Sequence, residues 1–141
     1  MKEIDQKGQI SIEFVLILAL MLVLVLIFVP YIGEQNELNT ISLAAREGAM
    51  NTASDLVLNG TVNPLRVKDI ILENEKSQNV TIQIDLSGSP SQNQTESIIN
   101  GTLNSIAAQG YTRNDGDMSN SSEDDFIVTS RHRYNVTIVS S

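Results

Sequence analysis

The sequence predicts an α+β chain: a long N-terminal hydrophobic α-helix followed by a small β-rich head that contains one further helix. Three observations carry this. Phe14 to Val29 holds no polar residue at all. Leu38, Ile41, Ala45, Ala49, Ala53 and Leu56 recur at three- and four-residue steps, the period of an amphipathic helix. Beyond Asn59, short stretches alternate apolar and polar residues, the period of half-buried strands. The expected divisions are a leader over residues 1–8, the long helix over 9–58 and the head over 59–141.

The apolar run sets the first question. Sixteen residues of helix rise about 24 Å. Ile10, Ile12, Tyr31 and Ile32 bring the stretch near the roughly 20 residues a bilayer needs. A secretory signal has a shorter apolar region, about 7–15 residues, and then a small-residue cleavage site. Here the run ends Val-Pro-Tyr-Ile-Gly, with no such site. A plain signal anchor fits the length but leaves Glu13 unexplained, unless the acid snorkels to the headgroups from its place near the helix start. A charge at the centre of a spanning helix costs about 2.5–3.5 kcal/mol on insertion scales, and less near an end.

The residues before the run are Lys7-Gly8, then Gln9-Ile10-Ser11-Ile12-Glu13-Phe14. This order resembles the class III, type IV prepilin-like signal peptide of archaeal pilins. In that family a charged leader ends in Lys-Gly or Arg-Gly, and a membrane peptidase cuts before a Gln. Lys7 and Gly8 match the leader's end and Gln9 the new N-terminus. Ser11 and Glu13 match the two spaced polar positions, and Phe14 the aromatic after the acid. The resemblance covers Met1 to about Leu58 and extends only loosely to the head. It implies that the apolar helix stays on the mature protein, first in the membrane and then in a fibre core. It also implies that Glu13 pairs with the free amine of a neighbouring subunit's Gln9. Two opposite charges buried together cost far less than either alone.

Lys2 and Lys7 precede the run, whereas Glu34 and Glu37 follow it and the first cation after it is Arg46. Lys and Arg near the ends favour the cytoplasmic side, so the N-terminus is expected inside and the rest outside. A single-pass membrane precursor would thus deliver an extracellular mature protein. A net charge of −8 argues against nucleic-acid binding, which needs a cationic surface. The chain has no Cys, so neither a disulfide nor a thiolate metal site can form.

The elements follow in order. The leader is expected to be removed and to have no fold. Helix is expected from Ile10 to about Leu58, curved or kinked near Pro30 and Gly33, and stopped by Asn59-Gly60. Ala44, Ala45, Gly48, Ala49, Ala53 and Ser54 crowd its second half. They suit close packing on the head, close approach of adjacent subunits, or both on different faces. Arg66 to Glu73 reads as a short strand, Asn74 to Gln78 as a turn and Asn79 to Leu86 as a clearer strand. Gln94 to Gln109 carries Ile98, Ile99, Leu103, Ile106 and Ala107 at helical spacing despite Gly101, and Gly110 ends it. Arg113 to Asp125 reads as a polar loop. Phe126 to Val139 alternates, either as one long strand or as a hairpin turning near Arg131. Phe126, Val128, Ser130, His132, Tyr134, Val136 and Ile138 are expected on one face. The head is then a small sheet, with two strands on either side of one helix in sequence, packed on the long helix.

Six Asn-x-Ser/Thr sequons begin at Asn59, Asn79, Asn93, Asn100, Asn120 and Asn135, where random placement of the 13 Asn and 24 Ser or Thr would give about two. All lie beyond the apolar run, on the expected outer side, and mark candidates for N-glycosylation. Asn79 and Asn135 fall at strand edges and are the less accessible. Asp115 and Asp117 have the spacing that opens a calcium loop, but Phe126 stands where the bidentate Glu is required, so a solvated loop is the reading. His132 is the only His and reads as an ordinary strand residue. No nucleophile elbow, phosphate loop or dinucleotide fingerprint occurs, so an enzyme is not expected and no cofactor is implied.

The function expected is therefore structural: a type IV pilus-like filament subunit, cut before Gln9 and polymerised through its helix, for surface attachment. The resemblance implies as partners a prepilin peptidase, an assembly ATPase with its membrane platform protein, and copies of the chain itself. Two alternatives remain open at this point. One is a monomeric, membrane-anchored surface glycoprotein that binds a ligand through its head. The other is an archaellum-type filament subunit.

Overall fold

The computed structural model describes residues 3–60, 65–114 and 125–140, with only the backbone described over residues 3–10. Helix α1 spans Glu3–Leu58 with Pro30 inside it. Residues 3–8 are thus helical, against the expectation that the leader has no fold. No Pro stands among them to interrupt the approach to the apolar run. Pro30 cannot donate to the carbonyl four residues back, that of Leu26, yet the helix continues through it. The stop is where Asn59-Gly60 places it. The Asn59 amide donates to the Asp55 carbonyl at 3.0 Å, and Gly60 takes φ +80°, a left-handed conformation that glycine adopts at little cost.

By its contacts the chain forms two compact units, Met1–Glu37 and Leu38–Ser141. The first holds helix alone. In the second, strand β1 (Arg66–Glu73), strand β2 (Asn79–Ser87), helix α2 (Gln92–Ala107) and strands β3 (Thr112–Asn114), β4 (Phe126–Val128) and β5 (Arg133–Ser140) follow one another. They build a five-stranded sheet in the order β1-β2-β5-β4-β3. All neighbours are antiparallel except β2 and β5, which run parallel from Asn79↔Arg133 to Leu86↔Ser140. The chain between those two strands supplies the crossover that a parallel pair requires.

One face of the sheet carries the core. Val80, Ile82, Ile84 and Leu86 are fully buried, whereas Thr81, Gln83, Asp85 and Ser87 between them are half-buried. The buried set lies against the second part of α1 and against α2. Leu38, Ile41, Ala44, Ala45 and Ala49 share one cluster with Ile98, Ile99, Leu103 and Ile106 of α2 and with Tyr134 and Val136 of β5. A β-bulge between Val67 and Asp69 explains the spacing in β1. It lets Val67 and Ile70, three apart, both turn to the core side, where strict alternation would forbid it.

The small residues of α1 are used inside the head. Ala44, Ala45, Gly48, Ala49 and Ala53 are buried there, and Ser54 is exposed. At Gly48 a Cβ would lie 2.6 Å from the Gly101 carbonyl oxygen and 2.9 Å from Thr102 Cα, so α1 and α2 cross almost backbone to backbone. Gly101, awkward for a helix by propensity alone, is part of that crossing, because a Cβ there would run into the Thr52 side chain.

Several boundaries differ from the sequence reading. Helix α2 starts at Gln92, two residues early, because Ser91 caps it. The Gln94 amide donates to Ser91 Oγ at 3.4 Å and the Ser91 amide to Gln94 Oε1 at 2.8 Å, a reciprocal capping box. Thr112–Asn114, at the start of the expected polar loop, is a strand that pairs with β4. Of that loop, residues 115–124 lie outside the described residues. Phe126 to Val139 is the hairpin of the two expected forms. Ile127 pairs with Tyr134, so odd positions of β4 share a face with even positions of β5. Ile127 is therefore fully buried and Val128 exposed, the reverse of the single face expected for an unbroken strand. His132 lies in the turn rather than in a strand. It is buried, with its amide donating to Thr129 Oγ1 at 2.9 Å and its ring edge-on to Tyr134.

Candidate functional site

The first candidate is the apolar part of α1. Every large apolar side chain from Phe14 to Val29 is between 41% and 66% exposed. Among the described residues none buries them, and leaving such side chains in water forgoes roughly 1.5–3 kcal/mol each. Ser11–Leu58 is long and apolar enough, among the described residues, to cross a membrane. Ser11, Glu13 and Phe14 are exposed at its start. Lys7, Gly8 and Gln9 lie on helical backbone, so the Gln9 nitrogen is there a peptide nitrogen and not a charged amine. Gly8 lowers the cost of opening the helix there by roughly 0.5–1 kcal/mol relative to Ala.

The second candidate is the set of sequons, which the fold treats unequally. Asn59 follows the end of α1 and Asn93 sits in the first turn of α2; both are exposed. Asn79, the first residue of β2, is also exposed. Asn100 is engaged: its Oδ1 accepts from Arg113 Nη2 at 2.7 Å. The hydroxyl residue of its sequon, Thr102, is fully buried and donates to the Ile98 carbonyl at 2.7 Å. Asn135 is half-buried in β5, and its Oδ1 accepts from Thr81 Oγ1 at 3.2 Å. Thr81 is itself the hydroxyl residue of the Asn79 sequon, so these two sequons are joined by a hydrogen bond. Asn120, Asp115 and Asp117 lie outside the described residues.

Asn79 and Asn135 also mark a feature the sequence reading missed. With Asn74 and Thr81 they line an open depression on the polar face of the sheet. Asn74, in the turn between β1 and β2, holds φ at 60°, a left-handed conformation that Asn tolerates better than most residues. Arg133 and Phe126 form another wall, with the guanidinium carbon 3.4 Å from the ring centroid. Asp125 completes it and is held at 2.6 Å by Arg113. Arg113 also donates to Asn104 Oδ1 at 2.5 Å, so one side chain ties β3, α2 and the entry to β4. Strands β2 and β5 each carried a sequence signal, but the parallel β2–β5 register that brings Asn79, Thr81, Arg133 and Asn135 together carried none.

Set against known proteins, residues 6–32 match the family model for the class III signal peptide. The match takes in Lys7, Gly8, Gln9, Ser11, Glu13 and Phe14 together with the apolar run. No curated protein matches the chain significantly. A signal peptide of this class, followed by a long apolar helix and an α+β head, fits a type IV pilin-like secreted subunit. Such a signal is the substrate of a prepilin peptidase in type IV pilus-like systems.

Proposed function

We propose that the chain is a structural subunit of an extracellular type IV pilus-like filament, serving surface attachment. A prepilin peptidase cuts before Gln9, and the mature chains polymerise through the apolar part of α1. The observation that carries this reading is the contrast within α1. From Leu38 onward its inward face is buried in the head; before that, the apolar side chains from Phe14 to Val29 stand exposed among the described residues. A bilayer covers them in the precursor and identical helices cover them in the fibre. Glu13 supports the second cover, since a carboxylate facing lipid is costly and the amine freed at Gln9 by cleavage is a partner for it. An assembly ATPase and its membrane platform protein drive the transfer. The head forms the exterior and carries glycans, with Asn59, Asn79 and Asn93 the accessible sequons. The protein is not an enzyme.

The test is the N-terminal peptide, by mass spectrometry, of protein recovered from sheared cell-surface material. A chain beginning at Gln9 in that fraction is the expected result, and Glu13→Ala should leave the cut nearly intact while lowering fibre yield at least about tenfold, the equivalent of one lost interaction of 1.4 kcal/mol. A chain that keeps Met1 or Lys2 and stays in membranes would instead identify an anchored surface glycoprotein. Normal fibre yield from Glu13→Ala would remove the pairing of Glu13 with Gln9.

A further inference from the structure

We infer that the depression on the polar face of the head is a binding site for an acidic saccharide. The inference rests on residues of the Leu38–Ser141 unit alone and stands whether or not the chain forms filaments. Three carboxamides, from Asn74, Asn79 and Asn135, gather there. A carboxamide offers both donors and an acceptor, which suits the alternating donor and acceptor hydroxyls of a sugar ring. Thr81 Oγ1 fixes the Asn135 carboxamide through its Oδ1 at 3.2 Å, leaving the NH2 group of Asn135 to donate. The site is thereby partly preorganised, which lowers the ordering cost of binding.

Arg133 selects the charge of the ligand. Its guanidinium carbon lies over the Phe126 ring, 3.4 Å from the centroid. A stacked guanidinium keeps its in-plane N–H fork for a carboxylate, which it can hold with two parallel hydrogen bonds. Asp125, the acid among the lining residues, is answered by Arg113 at 2.6 Å. Arg133 is thus the lining cation that a ligand's charge would meet, in a chain of net charge −8. An apolar ligand finds little to bury against there, and a neutral sugar leaves the guanidinium fork unused. A hexuronate, with ring hydroxyls and one carboxylate, uses both parts.

Such a saccharide has two sources. Asn79 is an exposed sequon residue, so a glycan attached to it can lie over the depression and reach Arg133 and Asn135. A free or cell-wall polysaccharide can equally enter from solution, because the depression is open. The chemistry is the same and the experiment separates the two.

The full chain, labelled with nitrogen-15 in a host without N-glycosylation and held in sugar-free zwitterionic micelles, is titrated with methyl β-glucuronide and, separately, with methyl β-glucoside. Saturable amide shifts centred on Asn79, Thr81, Phe126, Arg133 and Asn135 are expected with the glucuronide. Binding should be about tenfold weaker for the glucoside and for Arg133→Gln, the scale of one charge-assisted hydrogen bond. Arg46→Gln, which alters a cation remote from the depression in the fold, should leave affinity unchanged. Shifts that do not saturate, or that scatter over the head, overturn the proposal. Equal binding of both glycosides, or full affinity in an Arg133→Gln variant whose spectrum remains folded, overturns the role given to Arg133. In protein from glycosylating cells, the same amides at their bound positions without added sugar identify the chain's own glycan as the occupant; free positions that respond to glucuronide identify an external one.

Discussion

Gly48 and Gly101 show how single residues set the head. An added Cβ at Gly48 meets backbone: 2.6 Å to the Gly101 oxygen and 2.9 Å to Thr102 Cα, with Ser105 Cβ at 2.7 Å. None of these atoms can swing away, so α1 and α2 would have to part. Replacing Gly by Ala in a helix gains about 1 kcal/mol, while overpacking costs typically 1–3 kcal/mol. With backbone as the obstacle the upper end of that cost applies, so Gly48→Ala should lower unfolding stability by about 2 kcal/mol. A Cβ at Gly101 meets Thr52 instead, at Oγ1 and, at 3.0 Å, Cβ. The hydroxyl can rotate aside, so Gly101→Ala should be close to neutral. Adding Thr52→Ala should reveal a coupling of about 0.5 kcal/mol or more, as expected for residues in contact. Denaturant unfolding of the single and double variants decides this; a Gly48→Ala variant as stable as the parent would mean that the two helices are free to slide apart. The sequence marked Gly48 as one of a row of small residues but could not say which surface they served. Composition reports that a close approach is possible, and only the fold shows that α2 makes it.

Elements were legible where local chemistry sets them. The Asn79–Leu86 alternation, the helical spacing of Ile98, Ile99, Leu103 and Ile106, and the Asn59-Gly60 stop all act through neighbours in sequence, and each element stands where that chemistry puts it. The start of α2 was equally local: Ser91 and Gln94 form the capping box three residues apart. Ser91→Ala should thus cost about 1 kcal/mol, within the 0.5–2 kcal/mol range of lost caps. Ser91→Asp should restore most of it, as unfolding midpoints of the two variants would show; equal midpoints for parent and Ser91→Ala would mean that the cap is idle. The faces of β4 and the parallel β2–β5 pair were not legible, for a common reason. Alternation tells which side of a strand is apolar, but not which strand lies beside it or how a turn shifts the phase. The turn that holds His132 sets Ile127 opposite Tyr134, and this reverses β4 relative to the phase read from β5. The depression depends on the same long-range register, so its residues looked like unrelated polar positions in the sequence.

For the whole molecule, the question is whether the head needs the apolar helix in order to fold. Its core cluster begins at Leu38 and draws every member from that residue onward. Burying side chains such as Ile41, Ile82, Ile84, Leu103 and Tyr134 completely is the main favourable term in folding, and among the described residues none of it comes from before Leu38. A fragment beginning at Glu34, which keeps one helical turn ahead of Leu38, should therefore be monomeric in water without detergent and unfold in one cooperative transition. The full chain should need micelles, a membrane or its own polymer. Sedimentation and denaturant unfolding of the fragment test this together. A fragment that aggregates, or that loses signal gradually with denaturant, would show that the apolar helix helps to build the head. Cooperative unfolding has a consequence for assembly. If the head is complete before the helix finds its final cover, transfer from bilayer to fibre need not refold it. The free energy of assembly then comes from exchanging lipid for protein around Phe14 to Val29 and from the charge at Glu13. Substitutions in the core from Leu38 onward should accordingly alter how much subunit survives export, whereas substitutions between Ser11 and Val29 should alter how much of the surviving subunit enters fibres.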